Sequence, residues 1–308
     1  MRVRASYTTV AGSIIMRRSL SVFVVSLVLM PVQAHCWWEE GHQAIARIAA
    51  RQLSAAARQR VAQILEVENT PEAVAEAMAT ASIWADQMKA ESGTGNWHFI
   101  DLTLQDSRAN IAERCVDDNC ITARIRLFAT QLKAADADAD TAWSDEDALR
   151  FLIHFVGDVH QPLHAISDAD EGGNCELLDS PIDEAKNLHA LWDGPLVAAL
   201  GSDDTRLAAE LDTEIAAMTD GERDDFASGD ADDWAWESHR LATVNVYRRL
   251  EVPKQDIEFP ETCADAPEGI REFHGQIDEA YIAAMEPVVR DQLKKAGLRL
   301  AKMLNEAL

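Results

Sequence analysis

The stretch IHFVGDVHQPLH (residues 153–164) sets three of the chain's nine histidines and one aspartate within twelve positions, among Ile, Phe, Val and Leu side chains. On a helix, His154 and Asp158 stand four residues apart and share one face. Pro162 ends or kinks such a helix, so the chain can aim His164 at a neighbouring point. The preceding SDEDALRFL offers Ser144 with Asp147 three residues on, a capping-box variant that starts the helix. An apolar helix that carries His and Asp on one face must pair them or give them metal, because burying them alone is costly.

A second pair repeats the pattern. In NLHALWD, His189 and Asp193 are again four apart. Asp86 in SIWADQM, His98 in NWHFID and His42 in WWEEGH each lie beside aromatic or aliphatic residues. One such histidine is ordinarily a hydrogen-bonded core residue. Two spaced pairs, together with the HxxxDxxxxxH pattern, instead point to ligands for more than one metal ion, with zinc suited to imidazole nitrogen and carboxylate oxygen.

Elsewhere helical periodicity dominates. GHQAIARIAARQL has an apolar stripe, and TPEAVAEAMATASIWADQMKA has Thr70 as N-cap with Pro71 at the first helical position. The segment from Ile277 to Leu308 alternates apolar and charged residues at helical spacing, and Pro287 should start or kink a helix within it. ESGTGN (91–96), AADADADTAWSD (134–145), DADEGGN (168–174) and DGERDDFASGDADD (220–233) read as loops. WHFIDLTL (97–104) is the best strand, half of a hairpin. The expected fold is therefore all-α, mainly helical, with a small β-hairpin. There is no repeat and no composition break, so residues 37–308 should form one domain.

Residues 1–36 read as a secretory signal peptide. Arg2, Arg4, Arg17 and Arg18 precede or flank an apolar run, LSVFVVSLVLMPV, shorter than the ~18–20 residues that span a bilayer. Ala34 and Cys36 suit a cut before Trp37, and Met16 is an alternative start. Removing four arginines takes the formal charge from −25 to −29, which argues against general polyanion binding. The expectation is a secreted or periplasmic monomer without a membrane anchor. Cutting also leaves Cys115, Cys120, Cys175 and Cys263, an even set for an oxidising compartment. Three pairings are open: Cys115–Cys120 would close a short loop, and Cys175–Cys263 would tie distant segments. Free thiols or zinc ligands are the alternatives, although no CxxC pair is present.

WWEEGH, SIWAD, WHFID, LIHFVGDVHQPLH, GGN, NLHALWD and WAWES, in that order, resemble the zinc-dependent single-strand-specific nucleases of fungi, plants and bacteria, over nearly the whole mature chain. That family shares its helical fold with zinc phospholipases C. The resemblance implies three zinc ions: one on Asp86, His98 and His154; one on His164, His189 and Asp193; and one on His42 with the α-amino nitrogen and carbonyl oxygen of Trp37. Asp158 would bridge the first and third, and His160 would be a supporting or surface residue. It also implies a zinc-activated hydroxide that cuts single-stranded DNA, RNA and 3′-mononucleotides to 5′-phosphates. Phe99 and Asp101 would hold a base, Lys89 would face the phosphate, and Asn174 and Asn187 would orient substrate, ligands or loops. Two rival readings are a zinc phospholipase C, in which Glu tends to replace Asp193, and a non-enzymatic secreted zinc-binding protein.

Overall fold

The computed structural model describes residues 37, 39–134, 142–179, 185–254 and 262–308. Residues 1–36, read above as a signal peptide, and most of the acidic stretch 134–145 lie outside the described residues.

Helices dominate. The N-terminal half runs through α1 (Glu39–Arg51), α2 (Ala55–Ile64), α3 (Pro71–Ser82), α4 (Trp84–Ser92), the short α5 (Ile111–Arg114), α6 (Ile121–Lys133) and α7 (Asp145–Asp158). The C-terminal half adds α8 (Leu188–Asp193), α9 (Pro195–Ala198), α10 (Asp204–Ala217), α11 (Asp220–Phe226), α12 (Ala231–Ala242), α13 (Glu268–Arg271) and α14 (Glu279–Ala307). The caps are those the sequence suggests. Thr70 accepts from the Ala73 amide with Pro71 in the first turn, and Ser144 and Asp147 form a reciprocal capping box on α7.

Helix α7 occupies the core and divides its duties by face. Phe151 stacks on Phe128 of α6 and on Phe155, four residues on, with centroids 4.9 and 5.2 Å apart. Trp97 closes the cluster edge-on to Phe151. His154 and Asp158 are offset from that apolar row, and both are fully buried. The aromatic face thus supplies the burial that keeps the costly polar positions inside.

Several sequence expectations are corrected. WHFIDLTL forms no strand: Gly95–His98 is a 3-10 turn and the following residues are irregular. The small sheet is instead parallel, pairing β1 (Leu177–Asp179) with β2 (His274–Gln276) in the register Leu177 to His274. The acidic stretch 220–233 contains α11 and the start of α12 rather than loop alone. Three of its carboxylates belong to N-terminal capping boxes, Glu222 paired with Thr219 and Asp233 with Asp230, where negative charge favours the helix. The 71–92 segment breaks at Ile83 into α3 and α4. Pro287 starts no helix and lies inside α14.

Helix α14 packs against α1 through a close contact. A Cβ on Gly297 would stand 2.4 Å from Ile48 Cγ2 and 2.8 Å from its Cβ. Alanine normally improves a helix, but here the overpacking cost of about 1–3 kcal/mol should win. Gly297→Ala is expected to lower the melting temperature in calorimetry, and an unchanged or raised value would show that the two helices separate freely.

Candidate metal centre

The buried end of α7 forms the hub of a His/Asp cluster. Asp158 Oδ2 lies 2.9 Å from His98 Nδ1 and 3.0 Å from His154 Nε2. Its Oδ1 lies 3.2 Å from His42 Nε2 and 3.6 Å from His164 Nδ1. Asp86 Oδ1 approaches His98 Nδ1 at 3.6 Å and His154 Nε2 at 3.7 Å. These groups arrive from α1, α4, α7 and the turns Gly95–His98 and Pro162–Ala165. The break at Ile83 takes part, because the Ser82 carbonyl accepts from His154 Nδ1 at 2.6 Å. That fixes the imidazole with Nε2 toward the carboxylates.

A second cluster adjoins it. His164 Nε2 lies 3.5 Å from Asp193 Oδ1, and His189 Nε2 lies 3.3 Å from Asp193 Oδ2. The two imidazoles stack at 5.1 Å. Asn187 caps α8 by accepting from the Ala190 amide, which sets the helix that presents His189 and Asp193 one turn apart. The Gly172 carbonyl accepts from His189 Nδ1 at 2.8 Å. Only glycine suits that position: φ is +61°, and a Cβ would meet the Leu163 carbonyl oxygen at 2.7 Å.

The electrostatics follow from this crowding. Burial alone would raise the Asp158 pKa, yet the surrounding histidines, His154 first, hold it well below the usual carboxylate range. Burial opposes charge on His154 too, but Asp158 and Asp86 outweigh it and raise that pKa to about 9. Burial, then the neighbouring His154, depresses His42, and burial likewise depresses His98. Ligand-type atoms lie within 4.8 Å of one another in His42–Asp86–His154, in His98–His154–Asp158 and in His164–His189–Asp193. Several buried atoms aimed into these groups, among them His42 Nε2, Asp158 Oδ1, both nitrogens of His164 and Asp193 Oδ2, have no hydrogen-bond partner among the described residues. Orphaned nitrogen and oxygen donors converging in this way fit zinc.

The other candidate residues are placed as follows. Trp37 is buried beside the hub, and its indole donates to the Gly157 carbonyl at 3.0 Å. Lys89 Nζ lies 3.1 Å from Asp86 Oδ1. Phe99 and Asp101 line a cleft of about 240 Å³ with Arg114 and Asn119, next to the His98 turn. Burial, then the nearby Asp170, pushes the Asp101 carboxyl up to about 6 against the pull of Arg114. Asn174 turns back on its own loop, donating to the Glu171 carbonyl. His160 is no surface residue: it is fully buried, donates from Nδ1 to the Val156 carbonyl and accepts from Arg299 at Nε2. The disulfides are Cys115–Cys120 and Cys175–Cys263, as an oxidising compartment allows.

Comparison with known proteins agrees with this geometry. The profile of the S1/P1 nucleases matches residues 37–308. The chain belongs to the S1/P1 nuclease family. Endonuclease 2 of Arabidopsis thaliana is 26% identical over 293 residues, covering 93% of this chain and 95% of the relative. Endonuclease 4 of the same plant is 32% identical over 53% of this chain and 56% of its own length. Nuclease S1 of Aspergillus oryzae is 28% identical over 58% of this chain and 60% of its own length. The family is zinc-dependent in general and hydrolyses phosphodiester bonds. The chain is accordingly an all-α nuclease with His/Asp clusters able to bind metal.

Sequence reasoning missed a buried acidic layer behind the GGN loop. Asp170 and Glu176 are fully buried. Tyr247, delivered by the π-helical turn Thr243–Tyr247, donates to Asp170 Oδ2 at 2.6 Å. The only signal was an excess of acids around two glycines, which also suits an exposed turn. Burial and the adjacent Asp170 push the Glu176 pKa well above its usual 4.5. The folded chain therefore keeps a proton that the unfolded chain releases above about pH 4.5, and stability falls as pH rises from there toward the folded value. Glu176→Gln, shaped like the neutral acid, should melt higher than the parent at pH 8. The difference should vanish near pH 4, and a constant difference across that range would contradict the assignment.

Proposed function

We propose that the mature chain, residues 37–308, is a secreted, monomeric, single-domain endonuclease. It cuts single-stranded DNA and RNA, and 3′-mononucleotides, to products with 5′-phosphates. The observation that carries this reading is the fully buried Asp158, with histidines facing both of its oxygens, one of them His98, the residue just before Phe99 of the cleft. Three zinc ions would be held: by Asp86, His98 and His154; by His164, His189 and Asp193; and by His42 with the amine and carbonyl oxygen of Trp37. The position of Asp158, with Oδ1 toward His42 and Oδ2 toward His98 and His154, supports its role as a bridge. Zinc bound there supplies Lewis acidity for the phosphate and brings the pKa of a coordinated water toward neutral.

The chain's own residues do the rest. Asp86, Asp158 and Asp193 offset only half the charge of three divalent ions, so the cleft presents a net positive field to a phosphate despite the acidic surface. Lys89, held beside Asp86, adds a cation at the rim. Phe99 gives a base a stacking face that tolerates any sequence but needs an unstacked strand. Asp101 accepts from the base edge. Removal of the signal peptide frees the Trp37 amine, which must shed its proton to ligate, so processing completes the site only after export.

Strand preference tests this reading. A perfect duplex must pay for unstacking before a base reaches Phe99, so cleavage of single strands should be faster by orders of magnitude. Phe99→Ala should raise KM on single-stranded RNA while leaving the zinc content unchanged. Equal rates on duplex and single strand would remove Phe99 from this role.

A further inference from the structure

Between His160 and Pro162 the chain leaves α7 for the turn that carries His164, and Gln161 is fully buried there. The backbone just before it is held twice. Gln292 Nε2 donates to the His160 carbonyl at 2.8 Å, and Ser238 Oγ donates to the Val159 carbonyl at 2.5 Å. The side chain makes two short hydrogen bonds. Oε1 accepts from the Leu163 amide, and Nε2 donates to Asp193 Oδ1, both at 2.6 Å. A backbone N–H can only donate, so Leu163 fixes which end of the carboxamide it meets. The NH₂ group is therefore committed to Asp193.

We infer that Gln161 is the positioning residue of the His164–His189–Asp193 site: it pins one oxygen of Asp193 so that the other is presented toward His189. This rests on the zinc-ligand reading above. Oδ1 is engaged by the amide, while Oδ2 stands 3.3 Å from His189 Nε2 with no hydrogen-bond partner among the described residues. Without the amide, the carboxylate could rotate about its Cβ–Cγ bond and turn its vacant lone pairs away from the imidazoles. Through Leu163, the same side chain also ties the carboxylate to the turn that carries His164. One carboxamide thus links two separate elements of the site, α8 through Asp193 and the His164 turn through Leu163. Groups that orient metal ligands in this way typically control affinity by about 10–100-fold.

Gln161→Met removes both hydrogen bonds at nearly constant length and volume. The mature protein, its Gln161→Met variant and a His164→Ala control would each be titrated with a zinc chelator, and zinc per chain measured on the recovered protein. Melting of the zinc-free forms checks that each folds. The parent should release its ions together at high chelator concentration. Gln161→Met should release one ion at a chelator concentration about 10–100-fold lower while retaining the rest, and His164→Ala should lack that ion from the outset. If His164→Ala keeps the full zinc complement, the ligand reading fails. If it loses one ion but Gln161→Met releases zinc like the parent, the positioning role alone is overturned. Loss of all ions together from a destabilised Gln161→Met would also overturn it, since that marks a general packing role. Gln161→Ala, which shortens the side chain, should reproduce the early release if the lost amide, and not the methionine sulfur, is its cause.

Discussion

A fully buried carboxylate needs positive charge or strong donors on both of its oxygens, and Asp158 imposes that demand on the whole fold. An isolated ionised carboxylate costs many kcal/mol to remove from water. Here α1, the Gly95–His98 turn, α7 itself and the Pro162–Ala165 turn each deliver one imidazole to it. The phenylalanines on the adjoining face of α7 hold the group in the interior. The packing of α14 against α1 through Gly297 and Ile48 supports the helix that carries His42. Structure and chemistry therefore share one core, and the scaffold is shaped by the requirement to bring histidines to a single aspartate.

Much of this was legible in the sequence because spacing on a helix converts directly into a shared face. His154 with Asp158, and His189 with Asp193, needed only the helical repeat. Ser144 and Thr70 were recognisable as caps because their side chains act within three residues. What was not legible depends on distant partners. The WHFIDLTL segment has strand-forming residues, yet its backbone is used otherwise: Ile100 donates to the His164 carbonyl and Ser167 to that of Leu102. The acidic stretch 220–233 looked like loop because helix-capping carboxylates and loop carboxylates have the same composition. His160 and Gln161 sit in the same motif as His154, Asp158 and His164, but nothing in the motif says that one reaches Arg299 and the other Asp193.

The charge distribution links fold to activity. A chain with a formal charge of −25 repels polyanions over most of its surface, so a nuclease built on it must concentrate its attraction in one place. Buried His/Asp clusters do that only when they hold cations. The acids at helix N-termini favour local structure. Affinity should consequently depend on the metal content far more than on any surface lysine.

The most direct measurement of the central claim is a zinc count on active, mature protein by native mass spectrometry, made beside Asp158→Asn. If Asp158 is the shared anchor of adjacent ions, the parent should carry three zinc ions. The variant should keep the ion on His164, His189 and Asp193 while losing zinc from the remaining positions, with activity reduced by orders of magnitude. A fully active parent holding a single zinc, or an Asp158→Asn variant with the full complement, would contradict the account.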